Sequence, residues 1–326
     1  MSVHSIPKLL VYHGDMLADS ARIDAFGRAL QQVVTLGSVV LDLGGGTGVL
    51  SALACRAGAA RVYMIERGRI IGFAREFLRD NGLSERVTCV EGLSTECLLP
   101  EPVDVIVTET IGVAGFDEGI LGYVIDARRR MGRPSGGGPV VIPRRLALWA
   151  APVSDPDLHD RLVTRWARDL VGLNLRAVAS RAANNIYMHR FEPDRLAAGG
   201  RELMSVDLGT VEHPFVEGTA SFSFARPATI HGFAVWFEAD LADGVTLSNA
   251  PDAAPAAASN FGQHWWHGFL PLTEELQVAA GEELELAVQV NDGGLWRWRG
   301  GPNGQSRFDQ CTAFGAPLDS GAARRT

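Results

Sequence analysis

Val39-Val40-Leu41-Asp42-Leu43-Gly44-Gly45-Gly46-Thr47-Gly48-Val49-Leu50 decides the fold. An apolar strand runs into a turn in which four of the five residues are glycine, and apolar residues resume directly after it. Glycine takes positive φ freely and leaves no Cβ between the backbone and a ligand. The stretch therefore reads as a buried strand, a ligand cradle and the first turn of a helix, with Asp42 near the strand end. Arg61-Val62-Tyr63-Met64-Ile65 is a second apolar strand, and it ends in Glu66. An acid at that place grips a ribose in α/β nucleotide-binding folds.

The surrounding residues extend the same pattern. A helix is expected over 7–35, where Met16, Leu17, Ala21, Ile23, Phe26 and Leu30 recur mostly three or four apart and Gly37 closes the run. Helices are expected near 48–58, 68–81 and 117–131, and strands over 86–90, 103–108 and 139–143. Strands alternating with helices argue a doubly wound parallel sheet. After Pro143 the pattern changes to short alternating strands, at Leu146–Ala150, Ala220–Phe224, Ile230–Glu238, Gly268–Leu272 and Glu283–Gln289. These predict an antiparallel sandwich or barrel. Residues 157–200 interrupt it with helical spacing in Leu158, Leu162, Trp166 and Leu170. Pro251–Ser259 reads as a loop, and the tail after Ser320 as disordered. The expected divisions are a helical cap over 1–35, a Rossmann-like domain over 36–143 and a barrel domain over 144–326.

At 326 residues and 46% hydrophobic content, the chain can build two cores. A net charge of -8 argues against general affinity for nucleic acid or an anionic membrane. Lys8 is the sole lysine, so arginine supplies nearly all the basic residues, the mark of GC-rich coding and a bacterial source. Cys55, Cys89, Cys97 and Cys311 show no C-x-x-C spacing, as expected of free thiols in a reducing cytoplasm, and no metal site is expected. No apolar run reaches the ~18 residues of a membrane helix, and no signal-peptide pattern opens the chain.

Gly44, Gly46 and Gly48 give G-x-G-x-G rather than the dinucleotide fingerprint G-x-G-x-x-G. A pyrophosphate needs the longer turn on a helix N-terminus. S-adenosylmethionine carries no phosphate and needs only close backbone approach, so this spacing with Asp42 and Glu66 favours it over NAD or a flavin.

Thr108-Glu109-Thr110-Ile111-Gly112-Val113-Ala114-Gly115-Phe116-Asp117-Glu118 resembles the protein arginine methyltransferases, which carry two glutamates nine residues apart on a loop after the fourth strand. The resemblance extends along most of the chain. His13–Arg22 is similar to the family's first signature helix, Leu41–Ser51 to its first motif and Val62–Glu66 to the end of its second strand. Trp166–Leu175 resembles the start of its dimerisation arm. Gln263-His264-Trp265 resembles its Thr-His-Trp loop, with glutamine in the threonine position.

The chemistry of two glutamates follows from the acceptor. A guanidinium is planar, stays protonated and presents its N–H donors in a fixed fork. Two carboxylates can hold two edges of that plane and leave one nitrogen facing a methyl donor. Because both reactants are cations, the two negative charges also offset their repulsion. Glu109 and Glu118 are assigned this role; the alternative is that Glu118 serves only as an N-terminal helix acid. The resemblance further implies an Asp19–His264 pair across the site. It gives Arg22, helped by His13, to the cofactor carboxylate, and places Met16 near the sulfonium, with Gly44, Gly46, Thr47, Gly48 and Glu66 completing the cofactor site. Thr95 stands where the family has a glutamate near adenine, with Glu96 adjacent to substitute. Tyr12, Phe116 and Trp265 are expected to face the substrate. The arm implies a homodimer.

The chain departs from the family at the substrate rim. A tyrosine-rich N-terminal helix is barely present, Thr110 stands in the place of a tryptophan, and the aromatics between the glutamates are reduced to Phe116. This thinner rim favours free arginine or a small guanidino metabolite over protein arginine. A methyltransferase of another N or O nucleophile, and a relative that only binds the cofactor, are the remaining alternatives.

Overall fold

The computed structural model describes residues 6–133, 138–170, 172–251, 266–291 and 294–315. Gly136 and Gly137, most of the 251–259 loop, Gln263-His264-Trp265 and the tail after Ser320 lie outside them.

The expected helix over 7–35 is two helices, α1 (Ile6–Ala18) and α2 (Ser20–Val33). Asp19 breaks the run because its side chain accepts the Arg22 backbone N–H at 3.0 Å, which makes it the N-cap of α2. Then follow β1 (Val39–Leu43), α3 (Val49–Ala57), β2 (Arg61–Glu66), α4 (Ile71–Asp80), β3 (Val87–Glu91), β4 (Val105–Thr108), α5 (Ile120–Met131) and β5 (Val140–Ile142). These strands form a parallel sheet of order β3-β2-β1-β4-β5. All five residues of β1 are buried, as a central strand covered on both faces requires. The strand order reverses between β1 and β4, so a crevice opens beyond their carboxyl ends. The Thr108 hydroxyl donates to the Leu43 carbonyl at 2.8 Å and ties those two ends together.

The second half contains β6 (Arg145–Val153), α6 (Pro156–Leu162), β7 (Asp169–Leu170), β8 (Leu173–Asn174), α7 (Arg176–Ala183), β9 (Tyr187–His189), β10 (Arg201–Asp207), β11 (Phe215–Ser223), β12 (Ala228–Ala242), β13 (Val245–Ser248), β14 (His267–Val278), β15 (Glu283–Asn291), β16 (Trp296–Pro302) and β17 (Phe308–Cys311). One antiparallel sheet runs β10-β6-β12-β14-β9 with β13 on β12, and another runs β11-β15-β16-β17. Together they form the β-barrel. β15 alternates exposed and buried residues, with one face to solvent and one to the core. A Cβ on Gly218 of β11 would fall 1.9 Å from the Leu203 carbonyl oxygen of β10, which shows how tightly the two sheets meet. The helical pattern after residue 157 ends sooner than expected, because β9 pairs with β14 in the barrel sheet.

α2 sits at the junction of sheet and barrel, packed on α3 and against β12 and β13. Its buried residues Ala25, Phe26, Ala29 and Leu30 recur at helical spacing. Truncating Phe26 or Leu30, both 0% exposed, would cost about 2–5 kcal/mol. That anchorage fixes Arg22, one turn earlier on the same helix.

Candidate active site

A cavity of about 690 Å³ lies beyond the carboxyl ends of β1, β2 and β4, with α1 and the start of α2 on its other side. This is the size of a site for a small molecule.

One wall is the glycine turn. Gly44, Gly46 and Gly48 have φ of +74°, +54° and +82°, values an L side chain rarely takes. Gly45 is required for space, since a Cβ there would come to 2.3 Å of Met64 Cγ. The Gly44 and Gly45 amides donate to the Ile65 carbonyl, so the cradle is held by β2. Glu66 accepts from the Gly46 amide at 3.0 Å and also from the Gly68 amide, which turns its carboxylate into the cavity. Asp42, expected to meet the ligand, is fully buried beneath the turn and does not line the cavity. It accepts from the Ser51 hydroxyl at 2.6 Å, and burial pushes its carboxyl up to about 6. Gly48 also lies off the cavity wall, as the N-cap of α3 against Leu78.

Thr95 and Glu96, expected at the adenine end, are exposed and do not line the cavity, whereas Ser94 does. Residues 94–96 form a single 3₁₀ turn, whose successive side chains point about 120° apart, so only one of them faces inward. Gly92, Leu93 and Arg67 complete that end.

The other wall is the glutamate loop. Glu109 follows β4 and forms an ion pair with Arg22 at 3.4 Å, their side chains 11% and 8% exposed. Burial pushes Glu109 up to about 7; Arg22 pulls it down, and the negative charges of Glu118 and Asp19 raise it. Glu118 is exposed, yet the protein packed around it raises its carboxyl too, with Asp117 adding to the rise and Arg22 opposing it. Between the glutamates the chain makes a tight hairpin. Gly112 bridges Gly115, and Asp117 accepts the Ala114 amide at 2.9 Å. A Cβ on Gly112 would overlap that Asp117 carboxylate. Phe116, expected at the substrate, is 3% exposed and turned into the core by this reversal.

α1 and α2 close the space with Tyr12, His13, Met16, Leu17 and Arg22. Tyr12 meets His13 edge to face at 5.3 Å. Tyr12 is 53% exposed as a whole, but the protein packed around its hydroxyl, then Glu118 and Glu109, push that group up to about 12. Burial and, to a lesser degree, Arg22 push His13 down, against the opposing charge of Glu66. Arg22, expected to bind the cofactor carboxylate, faces Glu109 and stands where the two walls meet. Asp19 is buried at the α2 cap, off the cavity wall. His264 and Trp265 lie outside the described residues. Sequence reading passed over Ser94, Tyr123 and Asp117. Tyr123 gives a signal only as the residue one turn into α5, and Asp117 only as the acid that closes a glycine-rich turn.

A Rossmann-like sheet with a short G-x-G-x-G cradle, joined to an antiparallel barrel, has the architecture of a methyltransferase. Residues 144–297 match the family model of the arginine methyltransferase oligomerization subdomain, and residues 28–112 match that of the ribosomal protein L11 methyltransferase. An arginine N(omega)-methyltransferase of Streptomyces achromogenes subsp. streptozoticus is 31% identical over 288 residues, covering 86% of this chain and 76% of its own. Protein arginine N-methyltransferase 6 of Xenopus tropicalis is 30% identical over 293 residues, covering 86% of this chain and 83% of its own. In fold, the Trypanosoma brucei PRMT1 enzyme-prozyme heterotetrameric complex with AdoHcy is similar, with a TM-score of 0.78 at 23% identity over 92% of this chain and 96% of that one. The chain belongs to the protein arginine methyltransferase family. It is an S-adenosylmethionine-dependent enzyme of arginine N-methylation. The site fits that cofactor: the glycines leave open backbone on the cavity, Glu66 offers an acceptor for a ribose diol, and acids rather than a cluster of cations face the reaction space.

Proposed function

We propose that the protein methylates a guanidino nitrogen of free L-arginine or another small guanidino compound. Protein arginine is the competing acceptor, and a different small N or O nucleophile a more distant one. The observation that carries this reading is the make-up of the acceptor wall. With Phe116 in the core, Thr110, Asp117 and Glu118 form the side where a peptide would need apolar support, and the aromatics beside them, Tyr12 and Tyr123, both carry hydroxyls. The name of the Streptomyces relative, which specifies arginine and not protein arginine, points the same way.

In this reading Glu109 and Glu118 hold the guanidinium by charge-assisted hydrogen bonds and fix one nitrogen in line for attack. The buried Glu109 provides the tighter grip, and the exposed Glu118 meets the substrate at the mouth. Gly44, Gly46, Thr47, Glu66 and Ser94 would hold S-adenosylmethionine, with His13 and Met16 over it. The bound cofactor supplies an electrophilic methyl group on a sulfonium. Arg22 limits the net negative charge while the site waits for its cation. The residues divide into a cap (1–35), a cofactor domain (36–143) and a barrel domain (144–326).

We also read the enzyme as a homodimer. Leu173 in the arm and Phe73 and Phe77 on α4 are exposed apolar residues suited to contact between two copies. The matched subdomain is named for oligomerization. A monomer by light scattering at micromolar concentration would count against this. Four unpaired cysteines suit a reducing bacterial cytoplasm.

The deciding assay offers labelled S-adenosylmethionine with either free L-arginine or a glycine-arginine-rich peptide. Label on free arginine is the expected result. Strong labelling of the peptide with none on arginine overturns the substrate preference.

A further inference from the structure

Asn249 lies far from the cavity-lining residues in sequence, just past the end of β13, yet it holds the middle of the glutamate loop. Its side chain is almost fully buried, at 4% exposure. Nδ2 donates to the Val113 carbonyl at 3.0 Å and to the Trp266 carbonyl at 2.8 Å, while Oδ1 accepts the Phe237 amide at 2.8 Å. Two of the three partners can only accept and the third can only donate, so a single amide orientation satisfies all of them. Val113 sits midway between Glu109 and Glu118. Phe237 belongs to β12 and Trp266 directly precedes β14. One side chain thus joins the acceptor loop to two barrel strands.

The packing around it shows that this joint is close and specific. Gly115, at φ +77°, presses so near β12 that a Cβ there would stand 3.1 Å from Phe237 Cβ. Ala114 meets β14 in the same way: a Cβ on Gly268 would lie 3.2 Å from Ala114 Cβ. These contacts set how near the loop lies but leave its sliding along the strands to be fixed by directional bonds. The Asn249 amide supplies such bonds. Asn249 is itself held from behind by His267, whose ring bonds its backbone and whose Nδ1 accepts the Phe191 amide at 2.9 Å. Burial pushes His267 down to about 4, so this anchor stays neutral and unchanged across the working pH range.

We propose that Asn249 is a positioning residue that sets the register of the Glu109–Glu118 loop against the barrel and so fixes where the guanidinium is held. The inference rests on the reading of those glutamates as the guanidinium clamp. Misplacing a reacting nitrogen by about 1 Å costs on the order of 100-fold in rate. The cofactor cradle lies on the other wall, and among the described residues the side-chain bonds of Asn249 go to Val113, Trp266 and Phe237, not to the cradle.

The test uses Asn249→Asp and Asn249→Ser in the full chain. The aspartate keeps an acceptor for Phe237 but turns an oxygen toward the two carbonyls. The serine is too short to reach both. For each, kcat and KM are measured with labelled S-adenosylmethionine on free L-arginine and on a glycine-arginine-rich peptide. S-adenosylhomocysteine binding is measured by calorimetry, and folding by circular dichroism and thermal melting. The expected result is a kcat reduced about 10- to 100-fold on whichever acceptor the parent methylates, with S-adenosylhomocysteine affinity within about twofold of the parent. Unchanged kcat in a folded variant overturns the proposal. So does a parallel loss of S-adenosylhomocysteine affinity, or failure of both variants to fold, since either makes Asn249 a general structural residue. Glu109→Gln is assayed alongside. If it turns over like the parent, the clamp reading fails; if it is inactive while both Asn249 variants are normal, the positioning inference alone fails.

Discussion

The two walls of the cavity are built in different ways. The cofactor wall is local. Nearly all of its structure lies between Asp42 and Gly68, and its bonds run from glycine amides to Ile65 and Glu66. The acceptor wall is assembled from afar: Glu109 meets Arg22 of α2, and the loop beyond it is tied to Asn249 of the barrel. The cofactor wall works through backbone shape. The acceptor wall works through carboxylates that the fold makes costly to ionise, since burial raises both Glu109 and Glu118. The difference teaches where damage should show: in cofactor affinity for the first wall, in turnover for the second.

The largest effect expected from this division is on turnover. Glu109→Gln keeps the shape of the wall and removes its buried charge, so kcat should fall about 100- to 1000-fold, as when a group stabilising the transition state is deleted. Cofactor affinity, measured by calorimetry, should stay within about twofold of the parent. A comparable loss of cofactor binding would break the division. The converse probe is Gly46→Ala. At φ +54° the new side chain is strained, and its Cβ would stand 3.5 Å from His13 Cε1, away from the glutamate loop. Strain of about 1–3 kcal/mol should weaken cofactor binding roughly 10-fold. Saturating cofactor should restore most of kcat; if it does not, the cradle also sets the acceptor geometry.

The same contrast explains what could be read in the chain. The sheet and cradle were legible because strand, turn and helix are contiguous, and positive φ at Gly44, Gly46 and Gly48 demands a residue type that stands out. The two glutamates were picked out through the resemblance of Thr108–Glu118 to the family's loop, since their spacing alone left Glu118 open to reading as a helix N-terminal acid. The broken N-terminal helix was not, because the apolar period runs through Asp19 and only the geometry reveals a cap. β10 and β17 escaped notice because Arg201–Asp207 is mostly polar and Phe308–Cys311 is too short for a period. Asn249 and Ser94 were invisible for another reason: their importance lies in partners remote in sequence, or in which face of one tight turn is inward.

A stability measurement sharpens the second half of the comparison. Glu109 is pushed up from 4.5 to about 7, so the folded protein holds its proton more tightly than the unfolded chain does. Its contribution to stability is then greatest below pH 4.5, falls as pH rises, and is fully lost above about 7. Glutamine stands in for the protonated form at every pH. Glu109→Gln should therefore leave stability little changed near pH 4 and raise it at pH 8 by about 1–3 kcal/mol, read by urea denaturation. An equal effect at both pH values would mean that ionising this acid carries no folding cost.

The smallest expected effect tests whether the two glutamates act on each other. Glu109 must be ionised to receive a cationic guanidinium, so kcat/KM should fall about tenfold per pH unit below its pKa of about 7. The negative charge of Glu118 raises that pKa, and the positive charge of Arg22 lowers it. Glu118→Gln should therefore move the acid limb to lower pH, and Arg22→Met should move it to higher pH. The first displacement is a fraction of a pH unit, because Glu118 is exposed and solvent screens its charge. Raising the ionic strength should shrink it further, while the buried Arg22 effect persists. If the limb moves upward in Glu118→Gln, the two carboxylates do not share a field and the clamp cannot work as a pair. If it moves as expected and kcat falls less than in Glu109→Gln, the division within the acceptor wall holds too: a buried acid that grips and an exposed one that guides.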